Sequence, residues 1–69
     1  MDLTPQQRMS IIWLDLPPSP MNTVHDDMLR QLASLGVIEY DPKAATVKFT
    51  DLGKYAHWEL TGHLPTHNV

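Results

Sequence analysis

The stretch that decides the fold is LRQLASLGVIEYDP, residues 29–42, in which one glycine separates two different hydrophobic patterns. Before the glycine, leucines at positions 29, 32 and 35 follow the spacing of a helix face. After it, apolar and polar residues alternate, as in a strand with one buried side. Glycine readily adopts the left-handed conformation that closes a helix. We therefore expect the helix to end near Leu35, Gly36 to reverse the chain, and a strand to begin at once.

The residues that follow predict a hairpin and a last helix. A second alternating run, TVKFT (46–50), comes after the turn-like segment DPKAA (41–45), and this arrangement is typical of an antiparallel hairpin. Thr50 is a suitable N-cap for a helix over DLGKYAHWEL (51–60). Gly53 within that helix is expected to weaken it by about 1 kcal/mol relative to alanine. The residues expected to pair across the hairpin are Ile38 and Tyr40 with Val47 and Phe49.

Two helices are predicted before the glycine. The first lies in TPQQRMSIIWLDL, where Thr4 and Gln7 have the spacing of a capping box and the prolines of PPSP (17–20) end the helix. The second lies in NTVHDDMLRQLASL, with Asn22 or Thr23 as its N-cap. The first helix is apolar on both sides, which is typical of a helix buried on both sides.

This order of elements resembles the winged-helix domain of bacterial transcription regulators of the MarR and PadR types. The resemblance implies a small α+β domain with two helices, a two-stranded antiparallel wing and a C-terminal helix. It also implies dimerisation through terminal helices. In this chain the segment PPSPMN (17–22) takes the place of the family's second helix, which we expect to be reduced or missing; its loss argues against the usual docking in a DNA major groove. The positions that carry the resemblance are Leu32, Leu35, Gly36, Val37, Ile38, Thr50 and Gly53.

Length and composition limit the function classes. The chain has 69 residues, which predicts one domain over residues 1–62 and a flexible C-terminal tail over 63–69. It has no cysteine, a formal net charge of −3, no signal-peptide pattern and no apolar run of membrane-spanning length. We therefore expect a cytoplasmic protein that does not enter a membrane and has no disulfide.

The sequence carries no pattern typical of an enzyme, a metal site or a cofactor site. Its serines lie in no nucleophile motif, and it has no glycine-rich phosphate loop. His57, His63 and His67 match no common zinc signature, and His25 is expected at the edge of a buried helix face. We therefore expect no catalytic residue, no metal and no cofactor.

The exposed faces predict a binding module that contacts another protein. The outer face of the second helix presents an acidic patch. A helix that reads DNA would instead direct cationic side chains toward the bases at this position. Surplus apolar residues on the first and last helices have two explanations, burial of both faces of the first helix or a homodimer or partner interface anchored by a tryptophan. The expected partner-binding residues are Asp26, Asp27, Arg30 and Ser34, and the expected dimer or partner patch is Ile11, Leu14 and Trp58.

The alternative function is a dimeric winged-helix transcriptional regulator that binds DNA. In that case Arg30 would face the bases, while Lys43, Lys48 and Lys54 would contact the phosphate backbone. Few cations on an acidic chain give a weak electrostatic attraction to DNA, so protein binding is the first expectation.

Overall fold

The computed structural model describes residues 2–66, which form three helices and one two-stranded sheet. This confirms the expected small α+β domain with an antiparallel hairpin and a C-terminal helix. Over the described residues, none of the helices has the length and hydropathy that a membrane span requires. In chain order the elements are α1 (Pro5–Leu14), a 3₁₀ turn (Pro20–Asn22), α2 (Asp26–Ser34), β1 (Ile38–Asp41), β2 (Thr46–Phe49) and α3 (Asp51–Thr61).

Gly36 joins α2 to β1 in the predicted way. Its φ angle is +81°, in the left-handed region that residues with a Cβ atom rarely adopt. The Gly36 N–H donates to the carbonyl of Ala33 at 3.0 Å, and the Val37 N–H donates to the carbonyl of Leu32 at 3.2 Å. These bonds satisfy carbonyls that the end of a helix leaves open, so β1 begins without an intervening loop.

The start of α2 differs from the prediction. The helix begins at Asp26 with His25 as N-cap, and the expected caps, Asn22 and Thr23, lie before it. Their side chains fold the proline-rich segment instead, because the Asn22 amide donates to the carbonyl of Pro17 at 2.8 Å and the Thr23 hydroxyl donates to that of Ser19 at 3.0 Å. The segment between α1 and α2 is thus reduced to one 3₁₀ turn.

The hairpin has the expected register, with Ile38 opposite Phe49 and Tyr40 opposite Val47. Ile38 and Phe49 are buried, and the other pair is partly buried, so one side of the hairpin faces the interior. The helices complete the core: α2 packs on β1, while α1 packs against both α2 and α3. The buried apolar residues are Leu3, Ile11, Leu32, Val37, Ile38, Phe49 and Ala56.

Gly53 has a role that helix propensity alone does not indicate. A Cβ added at this position would lie 1.7 Å from the carbonyl oxygen of Val37, so only glycine lets α3 approach the start of β1 this closely. Thr50, the predicted N-cap, accepts from the Gly53 N–H at 3.1 Å. The Thr50 hydroxyl also donates to the carbonyl of Gly36, and its N–H donates to that of Val37 at 3.1 Å. Thr50 and Gly53 therefore hold α3 against the junction of α2 and β1.

The beginning of the expected tail packs against the domain. Pro65 is buried, and the Thr66 N–H donates to Oδ1 of Asp15 at 2.6 Å. Pro65 and Thr66 thus lie against the domain, beyond the predicted domain boundary at 62. The remaining part of the tail, 67–69, is outside the described residues, and the flexible segment as a whole stays a prediction.

Candidate functional site

The four residues predicted to bind a partner all lie on the exposed side of α2. Asp26 and Arg30 interact with each other, because Nε of Arg30 is 2.6 Å from Oδ2 of Asp26. The Tyr40 hydroxyl donates to the other carboxylate oxygen of Asp26, which ties the first turn of α2 to β1. Asp27 and Ser34 are exposed. Asp26 and Arg30 therefore have a structural role as well, and a partner would meet a neutralised pair rather than two open charges.

The electrostatics of this pair follow from its hydrogen bonds. The bond from Tyr40, followed by that from Arg30, lowers the pKa of Asp26 below its ordinary value. The same carboxylate raises the pKa of Tyr40 and of Arg30. The Arg30 and Asp26 side chains are both more than half exposed, so the ion pair adds only modestly to the stability of the domain.

We predict that Asp26 contributes to folding stability at neutral pH and not in strong acid. A carboxyl group with a lowered pKa in the folded state stabilises the fold above its unfolded pKa of about 4, and this contribution is lost as the pH falls through the folded-state pKa. The difference in urea midpoint between the wild type and Asp26→Asn should therefore shrink between pH 7 and pH 2. Asp27→Asn removes the same charge one residue away and is the control. A difference that stays constant over this pH range would contradict the prediction.

The predicted dimer or partner patch does not form as one surface. Ile11 is fully buried in the core, and Leu14 packs against that core, because α1 lies between α2 and α3. Including Ile11 in a surface patch was wrong, and burial explains the two-sided apolar character of α1. Of the three residues, Trp58 alone is well exposed, at 48%.

Trp58 belongs to a different apolar surface on α3. The Tyr55 and Trp58 rings are stacked, with centroids 6.1 Å apart and planes 23° apart. Leu52 and Leu64 are also exposed, and we call these four residues the aromatic surface. Tyr55, Trp58 and Leu64 line a shallow depression with Asp51 and Lys54. The Tyr55 hydroxyl bonds to Glu59, which raises the pKa of Tyr55. Charged groups therefore surround an apolar centre.

A second apolar face surrounds Trp13 on α1. One groove, of about 640 Å³, runs from Trp13 to Val47 on the hairpin. Another, of about 450 Å³, lies between Met9, Val24 and Met28. Residues of the segment between α1 and α2 line both grooves.

The three lysines assigned to DNA contact do not make one cationic site. Lys43 lies in the hairpin turn, where its N–H donates to Oδ1 of Asp41 at 3.0 Å. Lys48 stands directly opposite Glu39 in the hairpin, and Lys54 lines the depression on α3. An acidic residue accompanies each of Lys43 and Lys48, which lowers the local positive potential.

The sequence did not indicate a polar cluster of Asp15, His57 and His63, in which the first two residues are buried and His63 is exposed. Asp15 is 4% exposed and His57 is 1% exposed, with Nε2 of His57 at 3.6 Å from Oδ2 of Asp15. The His57 and His63 rings are edge to face, with centroids 5.3 Å apart. Asp15 is far from both histidines in the chain, so no spacing motif connects them. The one sequence feature that could have indicated the cluster is Asp15, a single carboxylate that directly follows the apolar residues at the end of α1.

His25 also differs from its expected position. It is exposed as the N-cap of α2, because the helix begins after it and its side chain leaves the buried face. His67 is outside the described residues.

Comparison of the chain with protein-family models, curated proteins and solved structures gives no match. The resemblance to winged-helix regulators therefore stays a prediction, and function has to be argued from the surfaces described above.

Proposed function

We propose that this chain is a small non-enzymatic binding module that recognises another protein through the aromatic surface of α3. The observation that carries the proposal is the stacked pair of Tyr55 and Trp58, about half exposed, with Leu64 beside it in the same depression. Interfaces are enriched in tyrosine and tryptophan at the centre and in charged groups at the rim. The aromatic surface and its surrounding Asp51, Lys54 and Glu59 have this composition.

The exposed part of Trp58 is large enough to contribute measurably to a contact with a partner. A tryptophan buries roughly 200 Å² when fully covered, and Trp58 keeps about half of its surface exposed. At about 25 cal/mol per Å², covering the remainder would contribute on the order of 2.5 kcal/mol to binding. Stacking fixes both rings in the free protein, so less side-chain entropy is lost on binding.

The acidic side of α2 contributes the second part of the proposal. Asp27 and Ser34 are exposed, and Asp26 and Arg30 are held in place by their mutual contact. Charged groups of this kind influence partner choice and association rate more than affinity. We therefore assign recognition of a basic or polar rim on the partner to this face.

DNA binding is the less well supported function. The formal net charge of −3 opposes attraction to phosphate, and Glu39 stands opposite Lys48. A cytoplasmic location, as expected from the sequence, and a different protein as the partner complete the proposal, with a second copy of the chain as the alternative occupant of the aromatic surface.

We predict that Trp58→Ala weakens partner binding by about 2 kcal/mol or more, as expected for an aromatic residue at the centre of an interface. The wild type, Trp58→Ala and Met21→Ala would be immobilised and used to capture proteins from a lysate of the source organism. Met21 is a suitable control because it is 85% exposed and lies outside the aromatic surface. The partner should be retained by the wild type and by Met21→Ala, and lost from Trp58→Ala.

Two further measurements separate the rival functions. Binding of generic duplex DNA at low salt, with a steep decrease as salt is added, would overturn the proposal in favour of a DNA-binding regulator. Self-association that Trp58→Ala abolishes in sedimentation equilibrium would show that the surface binds a second copy instead. Equal capture by all three proteins would contradict a role for the aromatic surface.

A further inference from the structure

The cluster of Asp15, His57 and His63 has the composition and convergence of a metal site. Each residue offers one ligand atom, and these atoms all lie within 4.8 Å of one another. They come from three parts of the chain: the end of α1, the middle of α3 and the segment after α3. Two imidazoles and one carboxylate are a ligand set that suits zinc and similar divalent transition metals.

The hydrogen bonds orient both histidines as ligands. Nδ1 of His57 lies 3.0 Å from the carbonyl oxygen of His63 and 3.3 Å from the Thr61 hydroxyl. The carbonyl is the nearer partner and accepts only, so we assign the proton to Nδ1. Nδ1 of His63 lies 3.0 Å from the carbonyl oxygen of Leu64, which assigns its proton in the same way. Metal-binding histidines commonly donate one ring N–H to a carbonyl or carboxylate, which leaves the other nitrogen for the metal.

The contact between His57 and Asp15 is consistent with an ion between them. In the neutral imidazole with its proton on Nδ1, Nε2 of His57 carries a lone pair next to a carboxylate oxygen of Asp15, whereas a protonated His57 would donate from Nε2 to that oxygen. The 3.6 Å between these two atoms is longer than a hydrogen bond and leaves room for a bridging ion. Ligand atoms at about 2.0 to 2.1 Å from a tetrahedral zinc ion are roughly 3.4 Å apart. The observed separation is close to that value. His63 is exposed, so its side chain can move the short distance needed to complete the set.

Asp15 already has the supporting bond that a carboxylate ligand needs. Its Oδ1 accepts from the Thr66 N–H at 2.6 Å, and its Oδ2 is 3.4 Å from the Thr66 hydroxyl. A carboxylate has several lone pairs, so it can accept these bonds and coordinate a cation at the same time. Both Asp15 and His57 are held in position by packing, which preorganises the site.

We propose that Asp15, His57 and His63 bind a zinc-class divalent ion that fastens the segment after α3 to the end of α1. The ion would fix His57 and His63, which are the chain neighbours of Trp58 and Leu64 of the aromatic surface. Because a metal that binds only the folded chain stabilises it, a small domain gains measurably from such a site. This proposal is independent of which partner the aromatic surface takes.

Zinc titration of the full chain tests the proposal. Zinc chloride added to metal-free protein at pH 7 should bind in a 1:1 ratio by calorimetry. At saturation the melting temperature should rise by about 10 °C, and EDTA should reverse the rise. Cobalt(II) used in place of zinc should give the visible absorption bands typical of four-coordinate rather than six-coordinate cobalt. Absence of binding and of a melting shift would overturn the proposal.

Three variants locate the ion. His63→Ala changes an exposed residue and should weaken zinc affinity by about 10-fold or more. Asp15→Asn keeps a carbonyl that accepts from Thr66 and should weaken affinity to a similar degree. His25→Ala removes an exposed histidine outside the cluster and should leave affinity unchanged. Circular dichroism without zinc verifies that each variant folds. Zinc affinity that Asp15→Asn leaves unchanged would place the ion on exposed histidines alone and overturn the proposed site.

Discussion

Replacing Gly53 with alanine is expected to destabilise the domain by about 3 kcal/mol or more, although alanine is the better helix former. The added Cβ would lie 1.7 Å from the carbonyl oxygen of Val37 and 2.8 Å from its carbonyl carbon. Both atoms belong to the backbone, so no side-chain rotation relieves the overlap. Either α3 moves away from β1, which opens the core, or the hydrogen bonds of Thr50 to this junction break.

The sign of the change separates packing from helix propensity. Propensity alone predicts a gain of about 1 kcal/mol for glycine to alanine in a helix, whereas the structure predicts a large loss. Urea unfolding followed by circular dichroism measures the difference. Gly62→Ala is the matched control, because Gly62 has a φ of +82° and a Cβ there would meet none of the described atoms within 4 Å. That control should lose only about 1 kcal/mol, from backbone strain. Stabilisation by Gly53→Ala would contradict the observed contact between α3 and Val37.

Replacing Ile11 with alanine is expected to cost about 3 kcal/mol of folding stability. Ile11 is fully buried on α1 and belongs to the same core as Leu32 and Val37. Removing its outer carbons loses their burial and leaves a cavity, and such truncations cost roughly 2 to 5 kcal/mol in well-packed cores. A domain of this size has a total stability on the order of 3 to 10 kcal/mol, so the variant should be close to unfolding at room temperature.

Met9→Ala is the control for this experiment, because Met9 lies on the same helix and is exposed. It should change the urea midpoint little, as most surface substitutions do. If Ile11→Ala left stability unchanged but altered self-association, Ile11 would be an interface residue and α1 would not occupy the centre of the fold.

The sequence predicted those features of the fold that depend on neighbouring residues. The capping box of Thr4 and Gln7 is present, with the Gln7 N–H donating to the Thr4 hydroxyl at 3.1 Å. Gly36 adopts its left-handed conformation, and the hairpin has the expected pairs. Each of these features is determined within a few residues of chain, where turn and capping chemistry dominates.

Features that depend on distant contacts were not predictable. The caps expected for α2, Asn22 and Thr23, are used by the 3₁₀ turn, because Ser19 and Pro17 compete for their side chains. A helix with two apolar sides is compatible with burial of both sides or with an interface on one side. The predicted patch with Ile11 depends on the second explanation, and the burial of Ile11 supports the first. The requirement for glycine at position 53 comes from Val37, which belongs to another element.

The candidate sites also combine features that neighbouring residues determine with features that depend on distant contacts. The role of Trp58 as an interface anchor stays a prediction; the side chain is 48% exposed, and its stacking on Tyr55 appears only in the folded chain. The cluster of Asp15, His57 and His63 has no sequence signature, because the three residues meet only when α1, α3 and the following segment pack together.

The most direct test of the proposed docking surface is site-specific photo-crosslinking in cells of the source organism. A benzophenone amino acid at position 55 keeps an aromatic ring in the aromatic surface, and the same amino acid at position 21 samples an exposed site outside it. The proposal predicts a discrete protein adduct from position 55 and none from position 21. Adducts of equal yield from both positions, or adducts to DNA alone, would contradict it.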